Sequence, residues 1–280
     1  MDSFVDKVGV ITGAGSGMGR EYALAFAALG AKLALNDYSA EGLQATAQLL
    51  QHKGLLDSRL YCQAFDVADR FAMQDFAQQV QDRLGPAHVV INNAGISGRG
   101  QHLKDMPPDT FEHVMRVNVG GVLNGTQAFL PQLLAQPEAA LVNVSSLLGF
   151  IGMPGNAEYC ASKFAVRGLT ESLMAELAHT QVQVHLVHPG GVNTGIADDS
   201  PKGRAFAAKF LKTPPEDVVQ AVIKGIRKRQ PRIIFGHQAW QSWWLSWLLP
   251  LDLRTRLLVR KARSVRQGRA SEPTSDSDHP

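Results

Sequence analysis

Read for apolar and polar periodicity, the chain alternates between two patterns. Short continuous apolar runs, bounded by turn residues, read as buried strands at 8–12, 32–36, 60–65, 88–91, 139–144, 183–187 and 232–235. Between them lie longer stretches with a helical apolar period, at 20–29, 40–52, 70–84, 108–134, 157–177 and 214–228. Strand and amphipathic helix in strict alternation, joined by short turns, predict an α/β fold. The expected architecture is a single-domain, Rossmann-like, doubly wound fold: a seven-stranded parallel sheet with helices on both faces. Asn118 falls inside the 108–134 helical stretch, and Gly120-Gly121 just after it predict a local departure from regular helix. A loop with a short helix is expected at 196–210.

Ligands of such a sheet bind beyond the carboxyl ends of the strands. Those ends carry Gly13-Ala14-Gly15-Ser16-Gly17-Met18-Gly19, Asp37, Asp66 and Asn93. Strand, glycine turn and helix in sequence aim helix N-terminal amides at a phosphate. The spacing is TGxxxGxG, from Thr12, Gly13, Gly17 and Gly19, and not GxGxxG. An acid about 20 residues past the turn accepts hydrogen bonds from an adenosine ribose and repels a 2′-phosphate. Asp37 therefore favours NAD over NADP. Its alternative use is to cap the next helix, a task that Ser39 can also fill.

A second constellation is Tyr159-Cys160-Ala161-Ser162-Lys163. At four residues' spacing on a helix, Tyr159 and Lys163 share one face. A tyrosine of pKa about 10 is a poor proton carrier near neutrality, and an adjacent ammonium lowers it. Cys160 reads as a small buried hydrophobe rather than a nucleophile.

Composition changes this picture only at the C-terminus. The 280 residues carry 28 Lys/Arg and 25 Asp/Glu, net +3. Residues 1–223 hold 16 basic and 21 acidic residues, a net −5, and residues 224–280 hold 12 and 4, a net +8. A mildly acidic body excludes a nucleic-acid surface. Two cysteines make no disulfide framework and suggest a reducing, cytoplasmic setting. Residues 1–6 carry acids and no apolar run, so no secretory signal is expected. The nine histidines lack ligand spacing, so no metal is expected.

All four tryptophans, Trp240, Trp243, Trp244 and Trp247, fall at i, i+3, i+4, i+7, and Leu248 and Leu251 extend the stripe. Arg254, Arg256, Arg260, Lys261, Arg263, Arg266 and Arg269 follow. This Trp-rich amphipathic extension, 237–263, either packs over the substrate pocket or a neighbouring subunit, or lies on a membrane surface through 240–266. The apolar run at 239–251, interrupted by Gln241, Ser242 and Pro250, is too short to span a bilayer. Residues 264–280 read as disordered, after a catalytic domain of 1–236.

In order along the chain, TGxxxGxG, Asp66-Val67, Asn92-Asn93-Ala94-Gly95, Asn118 in VNV, NVSS at 143–146, YxxxK and Pro189-Gly190 resemble the short-chain dehydrogenase/reductase family. The resemblance covers roughly 6–235. It implies an oxidoreductase moving a hydride between a nicotinamide cofactor and an alcohol or ketone, with Asn118, Ser146, Tyr159 and Lys163 as the catalytic set. Tyr159 would be the general acid or base. Lys163 would lower its pKa and hold the nicotinamide ribose, Ser146 would bond the substrate oxygen, and Asn118 would support a proton path. The family gap of thirteen residues between serine and tyrosine selects Ser146 over Ser145. The cofactor would meet Gly13, Ser16, Gly17, Met18, Gly19 and Asp37. Asp66 and Val67 would contact adenine, Asn93, Ala94 and Gly95 would lie near the adenosine ribose, and Pro189, Gly190, Val192 and Thr194 would hold the carboxamide end. The family also implies a homodimer or homotetramer pairing the helices at 108–134 and 157–177.

A wall of Leu147, Leu148, Phe150, Ile151, Met153, Ile196, Phe206 and Phe210, with no Lys or Arg inside 147–159, predicts a hydrophobic alcohol or ketone, steroid-like or long-chain. Ser146, Leu148, Phe150, Met153, Tyr159 and Ile196 are its expected substrate contacts.

Overall fold

The central apolar runs become strands because their residues lose water on both sides, while the edge strand at 60–64 stays half-buried. In β1 (Val8–Thr12) all five positions are buried. The other strands are β2 (Lys32–Asp37), β3 (Leu60–Ala64), β4 (Ala87–Asn92), β5 (Ala139–Val144), β6 (Val182–Pro189) and β7 (Arg232–Phe235). The computed structural model describes residues 1–98, 100–194, 208 and 210–267, the last few as backbone alone. All seven strands pair in parallel, in the order β3-β2-β1-β4-β5-β6-β7. The order reverses between β1 and β4, where neighbouring crossovers leave on opposite faces and a crevice opens.

Alternate residues of the strands feed two cores. Ile11, Leu33, Leu35, Ile91 and Val142 face Tyr22 and Phe26 of α1 (Gly17–Ala28), Leu43 and Leu50 of α2 (Ala40–His52), and Val222 and Ile226. Val10, Ala34, Val90 and Leu141 face Phe76 and Val80 of α3 (Arg70–Leu84), with Phe129, Leu133 and Leu173. Burying one such aromatic is worth about 1.5–3 kcal/mol. The sheet is therefore clamped from both sides, and the loops at its carboxyl edge inherit fixed positions.

The 108–134 stretch is α4 (Pro108–Met115), a π-turn (Arg116–Gly120) and α5 (Gly121–Leu134). The expected irregularity is thus present: it spans Asn118 and ends on Gly120, the first of the Gly pair. Next come α6 (Ala157–Glu176) and α7 (Pro215–Arg227), then α8 (Ala239–Leu248) and α9 (Leu251–Gln267). Strand β6 outruns its expected end because His188 and Pro189 pair with Ile234 and Phe235. Helix α9 continues to Gln267, into the stretch from 264 read as disordered. The loop expected at 196–210 lies almost wholly outside the described residues.

Candidate active site

The glycine turn leaves β1 with Gly13 at φ +68, a region that side-chained residues avoid. A Cβ at Gly13 would sit 2.9 Å from the Ala94 Cα, so the β1 and β4 loops touch here. Thr12 stitches them: its Oγ1 accepts from the Asn93 N–H at 3.0 Å and the Ala94 N–H at 3.1 Å. Asn93 Nδ2 donates back to the Thr12 carbonyl at 3.0 Å. From the α2 side, Thr46 Oγ1 donates to the Ala14 carbonyl at 2.9 Å, and Arg20 bonds both Thr46 and the Gly15 carbonyl. Helix α1 starts at Gly17 with no side-chain cap from Ser16 and no acid in its first turn. The first amides of an α-helix lack internal partners, so this bare N-terminus, which includes Met18 and Gly19, fits a phosphate. Thr194 lies against Gly17, bringing the β6 loop to the same crevice.

Asp37 Oδ2 accepts from the Gly15 N–H at 2.7 Å and its Oδ1 from the Ser39 N–H at 2.8 Å. Ser39, and not Asp37, caps α2, accepting from Gly42. Asp66 binds the Ala68 N–H and pairs with Arg116 at 3.0 Å. Val67 is buried, and its carbonyl takes the Asn124 amide. Val192 bridges to Thr213, and Gly190 donates to the Phe235 carbonyl.

The second constellation assembles across β5, the π-turn and α6. Burial raises the Tyr159 phenol, and Ser146, the serine that bears on it, draws it only partly back. Ser145 is buried and donates to the Lys163 carbonyl at 2.8 Å, so its hydroxyl is already committed. Lys163 Nζ lies 5.6 Å from the Tyr159 ring centroid and donates to the Val144 carbonyl at 3.1 Å. A Cβ at Gly95 would meet this Nζ at 3.3 Å and Asn118 Oδ1 at 3.1 Å. Lys163 and Asn118, the β4 loop and the π-turn thus share one small volume. Asn118 Oδ1 accepts from Ile96 N–H at 2.8 Å, while Nδ2 donates to the Ile96 carbonyl at 2.9 Å and to Ser162 Oγ at 3.0 Å. Its side chain locks the β4 loop to α6.

One expectation needs correcting. Burial pushes the Tyr159 phenol up to about 12, against the Ser146 hydrogen bond that lowers it. Burial also pushes Lys163 down to about 8. Desolvation is the largest cause of both shifts, because each charged form leaves water.

The expected substrate wall is only partly a wall. Leu148 and Met153 are half-buried. Phe150 is 2% exposed and stacks on His188 with ring centroids 3.8 Å apart. It clusters with Ile151, Ile234 and Ala239 beneath Trp243 and Leu258, so it supports the site from below. Ile196 and Phe206 lie outside the described residues. Cys160 is a buried thiol, raised by that burial, and accepts from the Met153 N–H.

Three supporting residues were not singled out from the sequence. His188 Nδ1 lies 2.8 Å from the Ser146 carbonyl. Burial pushes the ring down to about 3, so it is neutral near neutrality and its Nδ1–H is the donor. Thr12 was seen only as a motif letter. Glu158, fully buried beside Tyr159, has no hydrogen-bond partner among the described residues for either carboxylate oxygen and lies against Gly98. Adjacency to the tyrosine is the only signal that marks it. Among the described residues, no group of three His, Cys, Asp or Glu side chains gathers to hold a metal.

A glycine crevice at the switch point of a seven-stranded parallel sheet, with Tyr159 and Lys163 beside it, makes this a Rossmann-like nucleotide-binding fold. The short chain dehydrogenase family matches residues 7–205. The chain belongs to that family. An oxidoreductase-named protein of Mycobacterium tuberculosis, SadH, is 40% identical over 250 residues, covering 85% of this chain and 89% of its own. Retinol dehydrogenase 10-B of Danio rerio is 33% identical, covering 88% and 79%. A short chain dehydrogenase/reductase from Burkholderia phymatum, solved in complex with NAD, superposes with TM-score 0.77 at 29% identity, over 98% of this chain and 100% of that one.

Proposed function

We propose that the protein is an NAD-dependent dehydrogenase interconverting a hydrophobic secondary alcohol and its ketone. The observation that carries this reading is Lys163 Nζ, held 5.6 Å from the Tyr159 ring centroid by the Val144 carbonyl and lying against Gly95 of the β4 loop, with Ser146 bearing on the phenol. When bound, the nicotinamide accepts or gives the hydride. The protein handles the proton. A phenol held protonated donates to a carbonyl oxygen, and in the reverse direction the phenolate takes the hydroxyl proton. The Ser146 hydroxyl steadies that phenolate and offers a dipole to the substrate oxygen. Lys163 presents its ammonium to the cofactor ribose, and the proton path from the site runs past Asn118 in the π-turn. Gly13, Gly17 and Gly19 leave room for the pyrophosphate, and Asp37, Asp66, Val67 and Asn93 fit the adenosine half.

The apolar loop at 147–153, with Leu148 and Met153, supports a hydrophobic substrate. Steady-state assays following NADH absorbance over a panel of long-chain, steroidal and retinoid alcohols should give turnover there. Turnover confined to small charged hydroxy acids would overturn the reading.

Asp37 supports NAD over NADP, since a 2′-phosphate would meet its carboxylate. In titration calorimetry, Asp37→Ala should weaken NADH binding about tenfold or more while relatively favouring NADPH. A wild-type preference for NADPH would turn the assignment to an NADP-dependent reductase.

Phe111, Leu123 and Phe164 stand exposed on α4, α5 and α6, which supports pairing of those helices in a homodimer or homotetramer. The free cysteines suit a reducing, cytoplasmic setting.

A further inference from the structure

The tryptophan stripe divides in the folded chain. Its inner edge, Ala239, Ser242 and Trp243, packs toward the loop carrying Leu147, Leu148, Phe150 and Ile151. Trp243 is the hub, with Trp240, Trp244 and Trp247 at centroid distances of 5.5, 4.7 and 6.2 Å. Those three outer indoles are 52%, 51% and 65% exposed, and Leu248 and Leu251 are more exposed still. On α9, Leu253 and Leu257 are also exposed. An outward face this rich in indole and leucine is unusual for a surface bathed only in water.

Its charge points to what covers it. From 239 to 267 the chain carries six basic residues against one acid, Asp252. Arg256 and Arg260 are exposed, and among the described residues no carboxylate pairs with them. A second copy meeting this face about a two-fold axis would set arginines near arginines. An anionic lipid surface instead offers phosphates to the arginines and an interfacial layer to the indoles. Neither helix crosses the bilayer: α8 is about 15 Å long, and no described helix is long and apolar enough to do so.

We infer that the α8–α9 segment docks on an anionic membrane surface, with Trp240, Trp244, Trp247, Leu248 and Leu251 sunk at the headgroup level and the α9 arginines against lipid phosphates. Trp243 joins this face to the apolar loop that flanks Ser146, so the docked protein holds its substrate side next to lipid. The inference stands apart from the catalytic reading, since lipid binding is measured without turnover.

The sequence provides its own probe, because all four tryptophans lie in α8. The full chain is mixed with vesicles of phosphatidylcholine alone or of phosphatidylcholine and phosphatidylglycerol at three to one (about 25% anionic lipid, enough for a negative surface potential). Flotation and tryptophan quenching by brominated acyl chains are read together. The expected result is flotation and quenching with the anionic vesicles, weakening as salt rises. Arg256→Ser with Arg260→Ser should lower partitioning about tenfold or more. Trp240→Ser with Trp244→Ser and Trp247→Ser should abolish flotation while turnover in solution persists. No flotation with anionic vesicles would overturn the inference. So would equal binding to neutral vesicles, or a triple variant whose only change is a smaller assembly on size exclusion, the mark of a second copy on this face.

Discussion

Replacing Tyr159 with phenylalanine is expected to lower kcat by about 10²–10⁴-fold, the usual contribution of a positioned acid or base, while NADH still binds. The ring would keep its place on α6, and only the oxygen that meets Ser146 would go. Because Ser146 is itself only half-buried, its hydroxyl is not stranded when the phenol oxygen goes, so the fold should tolerate the change. Calorimetry for NADH alongside stopped-flow turnover separates the two properties. If Tyr159→Phe kept turnover within about tenfold of wild type, the phenol would not be the proton carrier. A nucleotide-sensing role on the same fold would then be the better account.

Lys163→Met should do two opposite things: abolish most turnover and stabilise the protein at neutral pH. The ammonium is 4% exposed and burial pulls its pKa from 10.5 to about 8. At about 1.4 kcal/mol per pKa unit, that is a cost of about 3 kcal/mol for keeping the charge in the folded chain. The hydrogen bond to Val144 returns about 1 kcal/mol. Methionine keeps the length and loses the charge, so a net gain of about 2 kcal/mol is expected in urea unfolding at pH 7. The sign with pH follows from proton counting. Between pH 8 and 10.5 the unfolded lysine holds its proton and the folded one sheds it, so this residue makes stability rise with pH across that window. The wild-type curve should therefore approach the Lys163→Met curve as pH rises. Parallel curves would mean that Lys163 titrates normally.

Much of this was legible in the sequence because it depends on local spacing. Alternation of apolar runs and helical periods located seven strands and their helices, and the strand ends pointed to the crevice. Four-residue spacing placed Tyr159 and Lys163 on one face. What escaped depends on neighbours far along the chain. Periodicity assigns Phe150 to an apolar loop but does not say that His188, 38 residues later, stacks on it. It assigns four tryptophans to one stripe but does not show that Trp243 turns inward, since the covering loop begins at Leu147. The phenol's rise and the lysine's fall arise from burial by the assembled sheet and helices, which pair spacing does not measure. The same holds for the chain of buried amides and hydroxyls, Asn92 to Asn143 at 2.9 Å and Asn143 to Thr170 at 3.1 Å, that ties β4 through β5 to α6.

The π-turn at Arg116–Gly120 carries a consequence for how this region tolerates change. A wide turn holds one residue more than an α-helical turn, so everything after it is rotated by about 100° relative to an unbroken helix. Asn124 reaches Val67, and Gln132 reaches both Ala77 and Ala87, only in that rotated phase. Excising a single residue between 116 and 120 would let the rod run straight. It would also swing both amides away from their sockets and unlatch the loop that Asn118 fastens, so the helix is keyed by residue number as much as by residue type.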